Sequence, residues 1–324
     1  MRAAWLSIGV LVVVGCGEAS PVSPVAPDAI DAPITVEAAP ARASSPPPDV
    51  CEEARRRPPV AAPTDPRDLL FHVNRALAVP SEFPISSTSV WSPCSFDPAP
   101  SKRKDDLTCV PGAYSFRNRE SLRAVAFESE APASPSTTFD GLPVGGNGKI
   151  GFKPLIDEAA AHGHRLLLRS GFRAYAMQSA TFSSWVAQEL AQGRSREYAL
   201  RKVGASSARA GHSEHQLGTT ADLVYAQPNG VVYDGWNAET IAESSAMTWV
   251  AANAHRFGLV MSYDREHAEI TQYVWEPWHY RFVGVEAADL MKRCGWTTEQ
   301  YLELRYGEDP PPSLNDHPGR SARR

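Results

Sequence analysis

Apolar positions recur at helical spacing over Lys153–His164, where Leu155, Ile156, Ala159 and Ala160 share one side and Gly163 marks a stop. Arg165–Arg169 follows with the continuous run Leu166-Leu167-Leu168, which reads as a short buried strand. The pattern predicts two further helices, Tyr175–Gln192 closed by Gly193, and Ser195–Val203 with Ser195 as N-cap and Gly204 as stop. Thr219–Tyr225 alternates, with Ala221, Leu223 and Tyr225 on one face and Thr220, Asp222 and Val224 on the other, as in a strand. A long helix is predicted over Glu239–Phe257 with Gly258 as stop, then strands at Leu259–Met261 and Tyr273–Val283. Thr297 opens the last helix with a capping box to Gln300. These helices and strands do not alternate regularly, which argues against a parallel βαβ sheet. The expected class is α+β, a small antiparallel sheet flanked by helices.

The N-terminal half lacks this patterning. Arg2 precedes an apolar run, Ala3–Gly15, too short to span a bilayer as a helix but suited to a signal peptide. It ends in Val13-Val14-Gly15-Cys16, which resembles a bacterial lipobox, so export with a lipid on Cys16 and anchoring to a membrane is expected. Residues 17–66 hold 12 of the 28 prolines and few aromatics, and read as a disordered tether. Residues 67–148 read as a partly irregular, disulfide-held extension, 132–148 as a loop, 149–308 as the main folded domain and 309–324 as a disordered tail. Without Cys16 four cysteines remain, an even number that suits an oxidising compartment and allows three pairings. Cys94 with Cys109, which flank a polar loop, and Cys51 with Cys294 is the expected arrangement. The formal net charge of −5 and the short basic runs Arg55–Arg57 and Lys102–Lys104 give nucleic-acid binding little support. A monomer is expected.

The chemistry-bearing residues gather in two stretches. Gly211-His212-Ser213-Glu214-His215-Gln216-Leu217-Gly218-Thr219-Thr220-Ala221-Asp222 sets His215 and Asp222 seven apart, and Glu276-Pro277-Trp278-His279-Tyr280-Arg281 sets Glu276 and His279 three apart. Two His, one Asp and a spare Glu match a hydrolytic zinc centre, with three ligands, an open position for water and a base. Residues three apart on a regular strand face opposite ways, so Glu276 and His279 can serve one centre only if the chain bends at Pro277. On this reading Glu276 takes a proton from the zinc-bound water and passes it to the leaving amine. Arg173, at a strand end, clamps a substrate carboxylate or stabilises the oxyanion. His212 is read as a neighbour only, Trp278 and Tyr280 as packing or pocket wall, and Asp264 as a loop cap.

Three separated motifs carry a resemblance: Ser170-Gly171-Phe172-Arg173 with Gln178; Gly211-x-Ser213-Glu214-His215-x-x-Gly218-x-x-Ala221-Asp222; and Glu276-Pro277-Trp278-His279-Tyr280-Arg281-Phe282-Val283-Gly284. Over roughly residues 150–290, with a weaker echo at Leu69–Asn74, the chain resembles the VanY-type D-alanyl-D-alanine carboxypeptidases. The resemblance implies the hedgehog/DD-peptidase zinc fold, zinc on His215, Asp222 and His279, and Glu276 as base. It also implies Arg173 on substrate, Ser170, Gln178 and Ser213 lining the pocket, and peptidoglycan stem peptides as substrate, cut in D,D or L,D fashion. A crosslink-cutting endopeptidase and a non-catalytic wall-binding lipoprotein of the same fold remain open alternatives.

Overall fold

The computed structural model describes residues 48–79, 122–132, 138–139, 142–227 and 235–307. Four antiparallel strands, β1 (Leu166–Ser170), β2 (Thr220–Tyr225), β3 (Leu259–Met261) and β4 (His279–Phe282), form a sheet in the order β1-β2-β4-β3. With the helices below, this is the expected α+β class, a small antiparallel sheet flanked by helices. The two-residue period of each strand divides the sheet into a core face and a second face. Leu166, Leu168, Ala221, Leu223, Tyr225, Tyr280 and Phe282 enter the main apolar cluster. The alternate residues Thr220, Asp222, His279 and Arg281 face the other way and are buried too. Asp222 stands opposite His279 across the β2–β4 ladder, and Ser170 opposite Asp222 after an irregularity in β1 between Leu168 and Ser170.

Helix α2 (Phe152–Ala161) buries Phe152, Leu155, Ile156 and Ala159 in the main cluster, together with Val250 of the later helix α5 (Ser245–Asn253) and Phe257. Full burial of each large apolar side chain contributes about 1.5–3 kcal/mol, so this stripe is what seats α2. Helices α3 (Tyr175–Ala191) and α4 (Arg196–Gly204) make a separate cluster through Phe182, Val186, Ala199, Leu200 and Val203. The expected caps are present: Ser195 accepts from the Tyr198 N–H, and Thr297 forms the capping box of α7 (Thr298–Tyr306) with Gln300.

Four expectations are corrected. The predicted helix over Glu239–Phe257 is broken into Ala238–Ala242, α5 and a tight turn, Ala254–Phe257, because Ser244 caps a new start by accepting from the Met247 N–H. The predicted strand Tyr273–Val283 shortens to β4, because the chain turns at Glu276–His279. A two-residue hairpin, Thr138–Phe139 with Leu142–Pro143, lies inside the stretch read as a loop. Lastly, a helix lies inside the stretch read as a tether: α1 (Pro48–Arg56) packs Val50 and Ala54 against α6 (Val285–Cys294) and α7, and the disulfide Cys51–Cys294 pins it there. A short Pro-rich segment that could not bury a core of its own is ordered by a neighbour's apolar face and a covalent bond. The lipobox, Cys16, the Cys94–Cys109 pair and the tail 309–324 lie outside the described residues. Among the described residues no helix is long and apolar enough to cross a membrane.

Candidate metal centre and active site

His215 sits in a single tight turn, Glu214–Leu217, which Gly218 closes with a φ of 67°. This backbone conformation costs glycine little and lets the chain reverse directly into β2. The turn is held by side-chain and backbone bonds: the Gly211 N–H donates to Gln216 Oε1 at 2.6 Å, and the Arg173 N–H to the His215 carbonyl at 3.2 Å. His215 Nδ1 lies 2.7 Å from the Gly171 carbonyl, which fixes Nδ1 as the donor and leaves Nε2 with its lone pair facing inward.

Three inward atoms converge. His215 Nε2 is 3.5 Å, and His279 Nδ1 3.3 Å, from Asp222 Oδ1. His215, Asp222 and His279 offer ligand atoms all within 4.8 Å of one another, and they are the one such metal-holding group among the described residues. All three are buried, and His215 Nε2 and Asp222 Oδ1 have no hydrogen-bond partner. Buried polar atoms left unpaired are costly, and a cation would satisfy them. Bonds of about 2.0–2.2 Å from a tetrahedral metal to N and O ligands place those ligands roughly 3.3–3.5 Å apart. The two measured spacings match, so the residues fit a zinc-like ion. Burial, then the Arg173 charge, pushes the His215 imidazole down to about 4; burial acts the same way on His279, but Asp222 and Glu214 outweigh it and raise that imidazole to about 10.

Glu276 lies beside this cluster, with Oε2 3.6 Å from His279 Nδ1. The bend that the sequence demands is present: the His279 N–H donates to the Glu276 carbonyl at 3.0 Å, a reversal with Pro277 at its second position, before β4 begins. Burial pushes the Glu276 carboxyl up to about 8; the His279 charge opposes that shift, Asp222 adds to it, and Arg173 opposes it. Arg173 follows the end of β1, with Nη2 3.9 Å from Asp222 Oδ2 and Nη1 donating to Gln178 Oε1 at 2.9 Å. Its Nε is buried with no partner. Gln178 is itself buried and donates to the Ala208 carbonyl at 2.6 Å, so its amide serves to hold Arg173. Ser213 is buried at the head of the His215 turn, and Ser170 ends β1 opposite Asp222. His212 is turned to the Asn74 carbonyl at 2.8 Å, and Asp264 caps its loop by accepting from the Glu266 and His267 N–H groups.

Two residues that stand in the sequence motifs, but to which the sequence assigned no definite role, join the site. Glu214 Oε2 is 3.0 Å from His279 Nε2, and Glu214 Oε1 accepts from Arg281 Nη1 at 2.9 Å. Burial pushes the Glu214 carboxyl up, but Arg281 and then His279 outweigh it and hold the group at about 2. The period of β4 contained a signal for this: Arg281 is two residues from His279, hence on the same buried face, and a buried Arg requires an acid. Tyr263 lies against His279, ring centroids 4.7 Å apart.

The family model "VanY: D-alanyl-D-alanine carboxypeptidase" matches residues 149–285. A putative carboxypeptidase, YodJ, of Bacillus subtilis is 31% identical over 151 residues, covering 47% of this chain and 50% of the relative. A D-alanyl-D-alanine carboxypeptidase of Enterococcus faecalis is 31% identical over 186 residues, covering 56% of this chain and 65% of the relative. The chain thus spans about half to two thirds of the length of these curated relatives. A solved Zn(II) complex of a mutant of the vancomycin-resistance D,D-pentapeptidase VanY, from a VanB-type cassette, is 30% identical; the match covers 54% of this chain and 94% of that one, with a TM-score of 0.41. Over residues 149–285 the chain is thus similar to the VanY family of D-alanyl-D-alanine carboxypeptidases.

Proposed function

We propose that the protein is a zinc carboxypeptidase that removes the C-terminal D-alanine from peptidoglycan stem peptides. The observation that carries this reading is the convergence of His215 Nε2, Asp222 Oδ1 and His279 Nδ1, two of these atoms unpartnered, with Glu276 alongside. His215, Asp222 and His279 would hold the ion, which when bound polarises the scissile carbonyl and acidifies a water. Glu276, whose proton affinity burial raises towards neutrality, takes the proton at a carboxylate oxygen and returns it to the departing amine. Arg173 is held in place by Gln178, and its free Nε together with the guanidinium face offers a planar cation for the substrate's terminal carboxylate. That cation favours an exopeptidase over a crosslink-cutting endopeptidase, because an internal peptide bond offers no carboxylate to pair with it. A wall-binding role without turnover would leave the Glu276 carboxyl buried to no purpose.

The reading is tested by incubating purified protein with tetra- and pentapeptide stems and weighing the products. Zinc-dependent loss of one alanine is expected, and the stem that loses it distinguishes L,D from D,D cleavage. No mass change in either stem sinks the proposal. We further propose, from Val13-Val14-Gly15-Cys16, that the protein is exported and lipid-anchored in the cell envelope. Cys16→Ser should release it from the membrane fraction, and unchanged fractionation overturns the anchor.

A further inference from the structure

Glu214 is 3% exposed and uses its two oxygens on different partners. Oε2 accepts from Ser262 Oγ at 2.6 Å and meets His279 Nε2, while Oε1 takes Arg281 Nη1. Arg281 is fully buried, and its Nη2 donates to the carbonyls of Leu69 at 3.0 Å and Phe71 at 2.7 Å. These carbonyls begin a strap, residues 69–79, that also grips the turn carrying His215. The Asn74 carbonyl meets His212 Nδ1, the Val79 N–H donates to the Gly211 carbonyl at 2.7 Å, and Val73 and Val79 pack on Leu217. A continuous set of bonds therefore runs from the strap through Arg281 and Glu214 to the ring of His279.

An imidazole ligand with one nitrogen bound to a carboxylate is fixed in tautomer and in ring rotation. The carboxylate is in turn tolerable in the interior only while Arg281 and Ser262 hold it, and Arg281 only while the strap carbonyls fill its fork. We propose that Glu214 is the positioning residue for His279, and that the strap, which lies outside the family-matched residues 149–285, completes the metal site by holding Arg281 against Glu214. The assignment rests on the reading of His215, Asp222 and His279 as zinc ligands.

The test uses the full chain, stripped of metal and then titrated with zinc against a chromophoric chelator, with the visible bands of a cobalt(II) form as a second readout. Glu214→Gln is expected to weaken zinc binding 10–100-fold and to shift the cobalt bands, since His279 loses its charged partner. Glu214→Asp keeps the charge for Arg281 but draws the carboxylate back from His279. It should weaken zinc binding in the same direction while the metal-free chain still unfolds cooperatively. Val73→Ala loosens the strap without touching a charged group and should weaken zinc binding several-fold. If both Glu214 variants bind zinc within twofold of the parent and leave the cobalt spectrum unchanged, the positioning role is wrong. Unchanged affinity in Val73→Ala removes the strap from the site. A parent chain that takes up no zinc would instead sink the metal reading itself, so the two failures are distinct.

Discussion

On the proposed reading Glu276 and Arg173 divide the work at the site, one serving the proton and the other the substrate's charge. Glu276→Gln keeps the shape of the side chain and removes only the basic oxygen. It should retain stoichiometric zinc while turnover falls 10²–10⁴-fold, measured as metal content beside initial rates. A variant that keeps more than a tenth of the parent rate takes the base role away from Glu276. Arg173→Lys preserves charge but loses the planar fork. A charge-assisted hydrogen bond contributes about 1.5–3 kcal/mol, so KM for carboxylate-ended stems should rise about tenfold or more, and stems ending in an amide should gain little from the native Arg. Equal KM values in parent and variant would place the substrate carboxylate elsewhere. At this scale the sequence disclosed the residues whose spacing is fixed by local chain geometry. His215 and Asp222 straddle a glycine turn, and Glu276 and His279 straddle a proline. Glu214 and Arg281 stand in the motifs, but their pairing stayed hidden because nothing local links a Glu and an Arg 67 residues apart. Only the β2–β4 register, with Thr220 opposite Arg281, buries them together.

Turns decide how the strands present these side chains. Gly258 ends the Ala254–Phe257 turn with a φ of 77°, and a Cβ there would lie 2.8 Å from the Phe282 ring and 3.1 Å from the Gly284 backbone. Gly258→Ala therefore combines a disfavoured backbone with overlap at β4, and should cost about 2–4 kcal/mol of stability by denaturant titration. A change within 0.5 kcal/mol would mean that this corner can relax. The helical periods of α2, α3 and α4 and the stops at Gly163 and Gly193 could be read from single segments, since each is a local property; Gly204, expected to stop α4, lies inside it instead. The extent of β4 could not, because Pro277 lacks an N–H for a ladder and the reversal it enables depends on the Glu276 N–H finding the Tyr263 carbonyl at 2.9 Å. The break at Ser244 was equally obscure, since an N-cap inside an apolar pattern shows itself only when the chain has somewhere to turn.

On the proposed reading the metal cluster, and with it the disulfide, acts on the molecule as a whole. A site assembled from β2, β4 and the His215 turn does not exist in the unfolded chain, so an ion bound there stabilises only the native state. Chelation should lower Tm and added zinc restore it. At free zinc 1,000-fold above Kd the difference amounts to about 4 kcal/mol, and a Tm indifferent to chelator would mean no ion is held. The Cys51–Cys294 bond closes a loop with a sequence separation of 243. The Cys51→Ser, Cys294→Ser double variant should lose about 2–4 kcal/mol, read from denaturant midpoints, and midpoints that do not move would show that α1 adds nothing. The same bond also determines where a mechanical load would go. Tension entering through residues before 48 reaches Cys51 first, and the covalent link passes it into α6 at Cys294. Without that link the pull would run on along the chain into residues 69–71, whose carbonyls hold Arg281. A pull on the N-terminal side would therefore be shared between the two ends of the folded chain, where without the bond it would act on one alone.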